Sequence, residues 1–178
     1  MTLKIKKVLK AISNTFIAIV IVLIFLLYGV RLFSLKPYTV LSGSMERVYP
    51  TGSMIYVAKV DPAELKEQDV ITFKMENGAI ATHRIVELVP DEKDSDIIRF
   101  RTKGDENEIA DATLVNFSSV VGQPRFCIPY LGYLATFMMQ PFGKLVVIAV
   151  MIVMIFLDIL VGQLLGDQDK KKPETEQN

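Results

Sequence analysis

Cysteine, histidine and net charge are all in short supply in this chain, and each shortage removes a class of function. The single cysteine, Cys127, rules out an intrachain disulfide. Its neighbours Phe126 and Ile128 make it read as a small buried hydrophobe. The single histidine, His83, leaves no second imidazole for a metal site, so no metal and no cofactor are expected. Lys and Arg number 20 and Asp and Glu number 20, for a formal net charge of +0. That balance leaves no electrostatic footprint for nucleic acid. The acidic stretch Asp91-Glu92-Lys93-Asp94-Ser95-Asp96 lacks the glycine and the terminal glutamate of a calcium loop and reads as a solvated turn. There are no repeats and no low-complexity tract.

What the chain does have is apolar sequence concentrated at its two ends. With 178 residues there is room for one compact domain plus accessory segments. The first run, residues 11–35, exceeds the roughly 20 residues needed to cross a hydrocarbon core. Lys4, Lys6, Lys7 and Lys10 precede it and place residues 1–10 in the cytoplasm. The run is too long for a signal peptide and has no small-residue cleavage site, so it reads as an uncleaved anchor. A second span covers residues 145–165 and is followed by Lys170-Lys171-Lys172, which fits a cytoplasmic tail over 166–178. That tail is polar and reads as disordered. Asp158 falls inside the second span. It reads as a helix-pairing contact or a protonated acid near the inner interface, with a functional carboxylate as the alternative.

Residues 36–127 read as strands outside the membrane. Met54–Val60, Asp69–Glu76, Ala79–Val89, Ile97–Lys103 and Val120–Ile128 carry the β pattern, and Ala63–Glu67 reads as one helical turn after Pro62. Asn77-Gly78 between two strands is a hairpin signal. A two-residue loop there places Thr72 opposite His83 and Val70 opposite Ile85, with Val70, Thr72, Ala81, His83 and Ile85 on one face. The expected fold is mainly β, a small antiparallel domain without βαβ units. Residues 128–144, rich in aromatics and broken by Pro141 and Gly143, read as a membrane-interfacial segment touching lipid.

The chemistry-bearing groups are few. Leu41-Ser42-Gly43-Ser44-Met45-Glu46 is a turn in which Gly43 gives the backbone freedom to hold a hydroxyl exposed. A serine nucleophile needs a base and a group that orients the base. His83 is the only imidazole, and carboxylates stand in Lys103-Gly104-Asp105-Glu106-Asn107 and at Asp111. Lys59 or Lys74 is an alternative base.

In order and spacing, Ser42-Gly43-Ser44-Met45-Glu46, Thr82-His83-Arg84-Ile85 and Thr102-Lys103-Gly104-Asp105-Glu106-Asn107 resemble the signature boxes of type I signal peptidases. The likeness is to the branch that uses histidine, which includes SipW-like enzymes and the catalytic subunit of the endoplasmic-reticulum complex. It covers roughly residues 15–165. The resemblance implies a β-domain of signal-peptidase type tethered by two transmembrane helices, and a serine endopeptidase that removes signal peptides after small residues at −1 and −3. It implies Ser44 as nucleophile and His83 as general base. Asp111 is taken to orient His83 and Asp105 to support the site, though spacing does not separate the two. The Ser44 N–H with the Ser42 hydroxyl resembles an oxyanion hole, and Met45 and Gly43 fall at substrate-binding positions.

The implied partners are secretory preproteins, which bind as an added strand, and secretion machinery. The implied location is a cell membrane with the catalytic domain extracytoplasmic, or in the endoplasmic-reticulum lumen of a eukaryote. One departure stands out: Arg47 occupies the place of the proline that usually follows Ser-Met-Glu, which loosens the turn, and Pro50 supplies part of the stiffness. Arg47 is also the basis for the alternative, a catalytically silent membrane adaptor that binds signal peptides.

Overall fold

The computed structural model describes residues 2–91 and 98–169. Glu92–Asp96 of the acidic stretch, and the tail with Lys170-Lys171-Lys172, lie outside the described residues, as does the side chain of Asp158. The chain divides into two compact units, one helical and formed from the chain's ends, the other running from Leu27 to Thr136.

In the helical unit, α1 spans Thr2–Leu27 and α3 spans Pro141–Asp169. The Lys10–Leu27 stretch of α1 is long and apolar enough to cross a membrane. It leaves Ile17, Ile21 and Ile24 exposed, as a helix apolar all round does when its surroundings are lipid. Among the described residues α3 meets the same standard only when joined to the helix before it as one bent span. The pair of membrane helices read from the sequence is therefore matched by one helix standing alone.

The unit Leu27–Thr136 is built on an antiparallel six-stranded sheet: β1 (Leu35–Thr39), β2 (Met54–Ala58), β3 (Val70–Lys74), β4 (Ile80–Pro90), β5 (Ile98–Lys103) and β6 (Val120–Ile128), in the order β1-β2-β6-β3-β4-β5. Strand β6 joins the two halves. Its later residues pair with β2, from Gln123 to Ile128, and its start, at Val120 and Gly122, pairs with β3. Register shifts in both pairings let the strand bend between its two partners. Alternating side chains from β3, β4 and β5 bury Ile71, Phe73, Ile85 and Phe100 together with Leu65 and Val115. Phe117 stacks on Phe100 at a centroid distance of 5.8 Å. The helical turn read at Ala63–Glu67 is a 3₁₀ turn, Pro62–Glu64, opened by the Asp61 carboxylate accepting from the Ala63 N–H.

The β3–β4 hairpin corrects the sequence reading by one residue. Ile71 faces His83 and Thr72 faces Thr82. The loop is Glu76-Asn77-Gly78 rather than Asn77-Gly78 alone. The Met75 N–H donates to the Ala79 carbonyl at 2.8 Å, and Gly78 sits at φ +83°. A three-residue loop ending on a left-handed glycine is the other common hairpin solution. A slip of one residue exchanges the faces of β3. Ile71 and Phe73, not Val70 and Thr72, share the core face with Ala81, His83 and Ile85. Thr72 is sealed on the opposite face, its hydroxyl 2.8 Å from that of Thr82.

Cys127 is half-buried rather than buried. The segment read as interfacial contains α2 (Leu131–Met139), which buries Leu131, Gly132 and Ala135 while Tyr130 and Tyr133 remain exposed.

Candidate active site

Ser44 lies in a short 3₁₀ turn, Gly43–Met45, entered from an extended Ser42. The turn is held from below. Met45 is 2% exposed, and its sulfur accepts the Asp105 N–H at 3.2 Å. The Ser44 carbonyl accepts the Glu106 N–H at 3.0 Å. Gly104 makes this approach possible, because a Cβ there would lie 2.7 Å from the Ser44 carbonyl oxygen. Glu46 closes the far side, accepting from the backbone N–H and hydroxyl of Thr51 at 3.0 and 2.6 Å. Those two bonds hold its carboxyl below the usual range.

Arg47 forms an ion pair with Glu106, Nε to Oε1 at 2.9 Å. The turn that lacks its proline is thus tied to the Gly104–Asn107 loop by an exposed cross-link.

Strand β4 brings His83 to this turn. Its Nε2 is 3.1 Å from Ser44 Oγ, and its Nδ1 is 2.6 Å from Asp111 Oδ2. A carboxylate only accepts, so the proton sits on Nδ1 and Nε2 is left to accept from the Ser44 hydroxyl. The ring is largely buried, with its edge toward Phe73 at a centroid distance of 6.1 Å. Asp111 is positioned by β5: its N–H donates to the Thr102 carbonyl at 2.8 Å, and its Oδ2 also accepts from the Thr102 hydroxyl at 2.6 Å. Ser42 Oγ stands 3.4 Å from Ser44 Oγ. Ser44, His83, Asp111 and Ser42 are therefore gathered at one point. Lys59 and Lys74 are not among the hydrogen-bonding partners of Ser44 Oγ.

Asp105 takes a different position. Its carboxylate meets the Arg84 guanidinium in a two-pronged pair, Nε to Oδ1 at 2.8 Å and Nη2 to Oδ2 at 2.6 Å. Arg84 also donates to the Gln68 carbonyl at 2.8 Å. The guanidinium bonds hold the Asp105 carboxyl below the usual aspartate range, with burial opposing, and raise Arg84 further. This pair fastens the Gly104–Asn107 loop to β4 beside His83. The sequence motifs alone assign Arg84 no role, although it stands next to the sole histidine.

Ser44 and His83 open onto a cavity of about 680 Å³ walled by Tyr38–Ser42 on one side and Ala79–His83 on the other. Ile55, Met45 and Tyr49 make its floor apolar. Both walls offer free strand edges. Strand β1 ends the sheet order, and β5 begins pairing with β4 only at Arg84, so that among the described residues Ile80–His83 have no strand on that edge. Gly43 lies between Ser42 and Ser44 in the turn and carries no side chain into the cavity. Among the described residues no group of His, Cys, Asp and Glu is placed to hold a metal ion.

A serine, histidine and aspartate joined in this way on a small antiparallel sheet define a class. The chain belongs to the signal peptidase, peptidase S26 family, whose sequence profile matches residues 12–108. That match includes Ser44, His83 and Asp105 and ends before Asp111. The chain is similar to signal peptidase I W of Bacillus subtilis (strain 168), 44% identical over 86 residues, which cover 48% of this chain and 44% of that protein. It is also similar to the signal peptidase complex catalytic subunit SEC11C of Homo sapiens, 33% identical over 113 residues, covering 59% of this chain and 57% of that protein. The chain spans about half the length of these relatives.

Proposed function

We propose that this protein is a membrane-bound serine endopeptidase that removes N-terminal signal peptides from secretory preproteins. The observation that carries the reading is the relay Asp111–His83–Ser44, with contacts of 2.6 and 3.1 Å. The substrate lies extended in the cavity between Tyr38–Ser42 and Ile80–His83, where open strand edges pair with its backbone. Bulky side chains on the cavity floor restrict the −1 and −3 positions to small residues.

The Ser44 hydroxyl attacks the scissile carbonyl as His83 Nε2 takes its proton. Asp111 holds the ring and offsets the positive charge that then forms on it. The Ser44 N–H and the Ser42 hydroxyl receive the oxyanion, each such donor contributing about 2.7–4 kcal/mol. His83 returns the proton to the departing amine, and a water then releases the acyl group from Ser44. Met45 and Gly43 shape the turn against which the substrate rests.

The topology follows the sequence domains: a cytoplasmic start at 1–10, a span at 11–35, an extracytoplasmic catalytic domain at 36–127, an interfacial segment at 128–144, a second span at 145–165 and a cytoplasmic tail. In the structure α1 ends at Leu27, and a 3₁₀ turn at Gly29–Phe33 and strand β1 lie between it and Ser44. A leader whose apolar core is still in the bilayer presents its cleavage site just outside the membrane. Cleavage of a model preprotein by wild type and by Ser44→Ala tests the proposal: wild type cuts, and the variant does not. Wild-type binding without hydrolysis would instead favour the silent adaptor.

A further inference from the structure

We propose that Thr102 is a positioning residue for the reaction, acting through Asp111. Its hydroxyl donates to Asp111 Oδ2 at 2.6 Å, the same oxygen that accepts from His83 Nδ1. A carboxylate oxygen accepts about two hydrogen bonds, so both directions on Oδ2 are filled and the carboxylate cannot swing about its terminal torsion without losing one. The bond direction follows from chemistry, since Asp111 as a carboxylate only accepts.

Thr102 is 0% exposed, so its hydroxyl does not give up this bond for one to solvent. Its carbonyl accepts the Asp111 N–H at 2.8 Å, and one residue thereby fixes both the backbone and the side chain of the aspartate. Thr102 also faces Ile85 across the β4–β5 ladder, two residues along β4 from His83. The orienting carboxylate and the imidazole are in this way referenced to one pair of strands. A loop aspartate is otherwise a poor holder of a ring whose Nε2 must stay within reach of a hydroxyl, because loops move more than the strands they join.

The inference rests on the Ser44–His83 reading. Its test is steady-state cleavage of a model preprotein by the full chain in detergent, with Thr102→Val, Thr102→Ser and Ser44→Ala measured beside wild type. Valine keeps the branched shape that suits a strand but removes the donor. Serine keeps the donor and loses only a methyl. The expected result is a fall of about tenfold in kcat for Thr102→Val with KM unchanged, the scale of one charge-assisted hydrogen bond, and near-complete rescue in Thr102→Ser. Wild-type kcat in Thr102→Val overturns the inference, and so does a Thr102→Ser variant as slow as valine, which would make the residue a packing element. If Thr102→Val does not fold, Thr102→Ala takes its place, with the tenfold loss in kcat expected and wild-type kcat overturning the inference. Equal cleavage by wild type and Ser44→Ala would instead remove the underlying reading.

Discussion

Gly104 lies against Ser44 so closely that a methyl group at Gly104 would sit 2.8 Å from the Ser44 Cβ and 2.7 Å from its carbonyl oxygen. Its φ is not in the left-handed region, so the need for glycine here is one of space. Gly104→Ala is expected to push the turn carrying Ser44 away from His83. Overpacking of this kind costs about 1–3 kcal/mol. Cleavage by the variant should fall at least about tenfold while its far-ultraviolet dichroism is unchanged. Undiminished cleavage would show that the turn is free to move.

Gly78 makes the opposite case. At φ +83° a Cβ there meets nothing, so the penalty is conformational only. Gly78→Ala should cost about 1–2 kcal/mol of stability, read by denaturant unfolding of the full chain, with kcat unaltered.

The two aspartates are expected to separate by readout. Asp111→Asn deprives His83 of its carboxylate and should lower kcat by about 10³–10⁴-fold. Asp105→Asn breaks the pair with Arg84 and should act mainly on stability. Because Arg84 holds the Asp105 carboxyl low, this pair stabilises the fold above the unfolded value of about 4 and ceases to do so as pH falls through the lower folded value. Melting curves should show Asp105→Asn below wild type at neutral pH, with the gap closing in acid. A gap of constant size from neutral pH down to about 2 would refute the assignment.

Arg47 should matter little. Its ion pair with Glu106 is exposed on the Arg47 side, where the side chain is 83% accessible. Pairs of that kind contribute about 0–1 kcal/mol and are screened by salt. Arg47→Ala is expected to slow cleavage by no more than about fivefold at low ionic strength, with the difference disappearing in concentrated salt. A large loss that persists in salt would mean that Arg47 touches the substrate.

Much of the fold was legible because periodicity is local. The alternation in β4 and β5 reads directly, and four of the strands differ from the sequence reading by one or two residues at their ends, while the apolar run read as 11–35 is helical only to Leu27. The hairpin register did not read, since Asn77-Gly78 suits a two-residue loop as well as the last two positions of a three-residue loop. Only the burial of Ile71 and Phe73 beneath β4 selects between them. Strand β1 escaped as a separate element because Leu35–Thr39 merges with the end of an apolar run.

The resemblance of three short boxes, in their order and spacing, to those of type I signal peptidases was enough to name Ser44, His83 and a carboxylate near Gly104 as candidates, while the single imidazole by itself fixes only which residue any histidine chemistry must use. Which carboxylate meets the ring was decided by tertiary structure. Asp105 and Asp111 are six positions apart on one loop, and a hydrogen bond depends on where the loop folds back, not on that count. The return of the chain beside Thr102 gives Asp111 to His83, and the guanidinium of Arg84 takes Asp105. Local chemistry is written residue by residue, whereas the meeting of distant groups depends on strand pairing and burial, which no single segment contains.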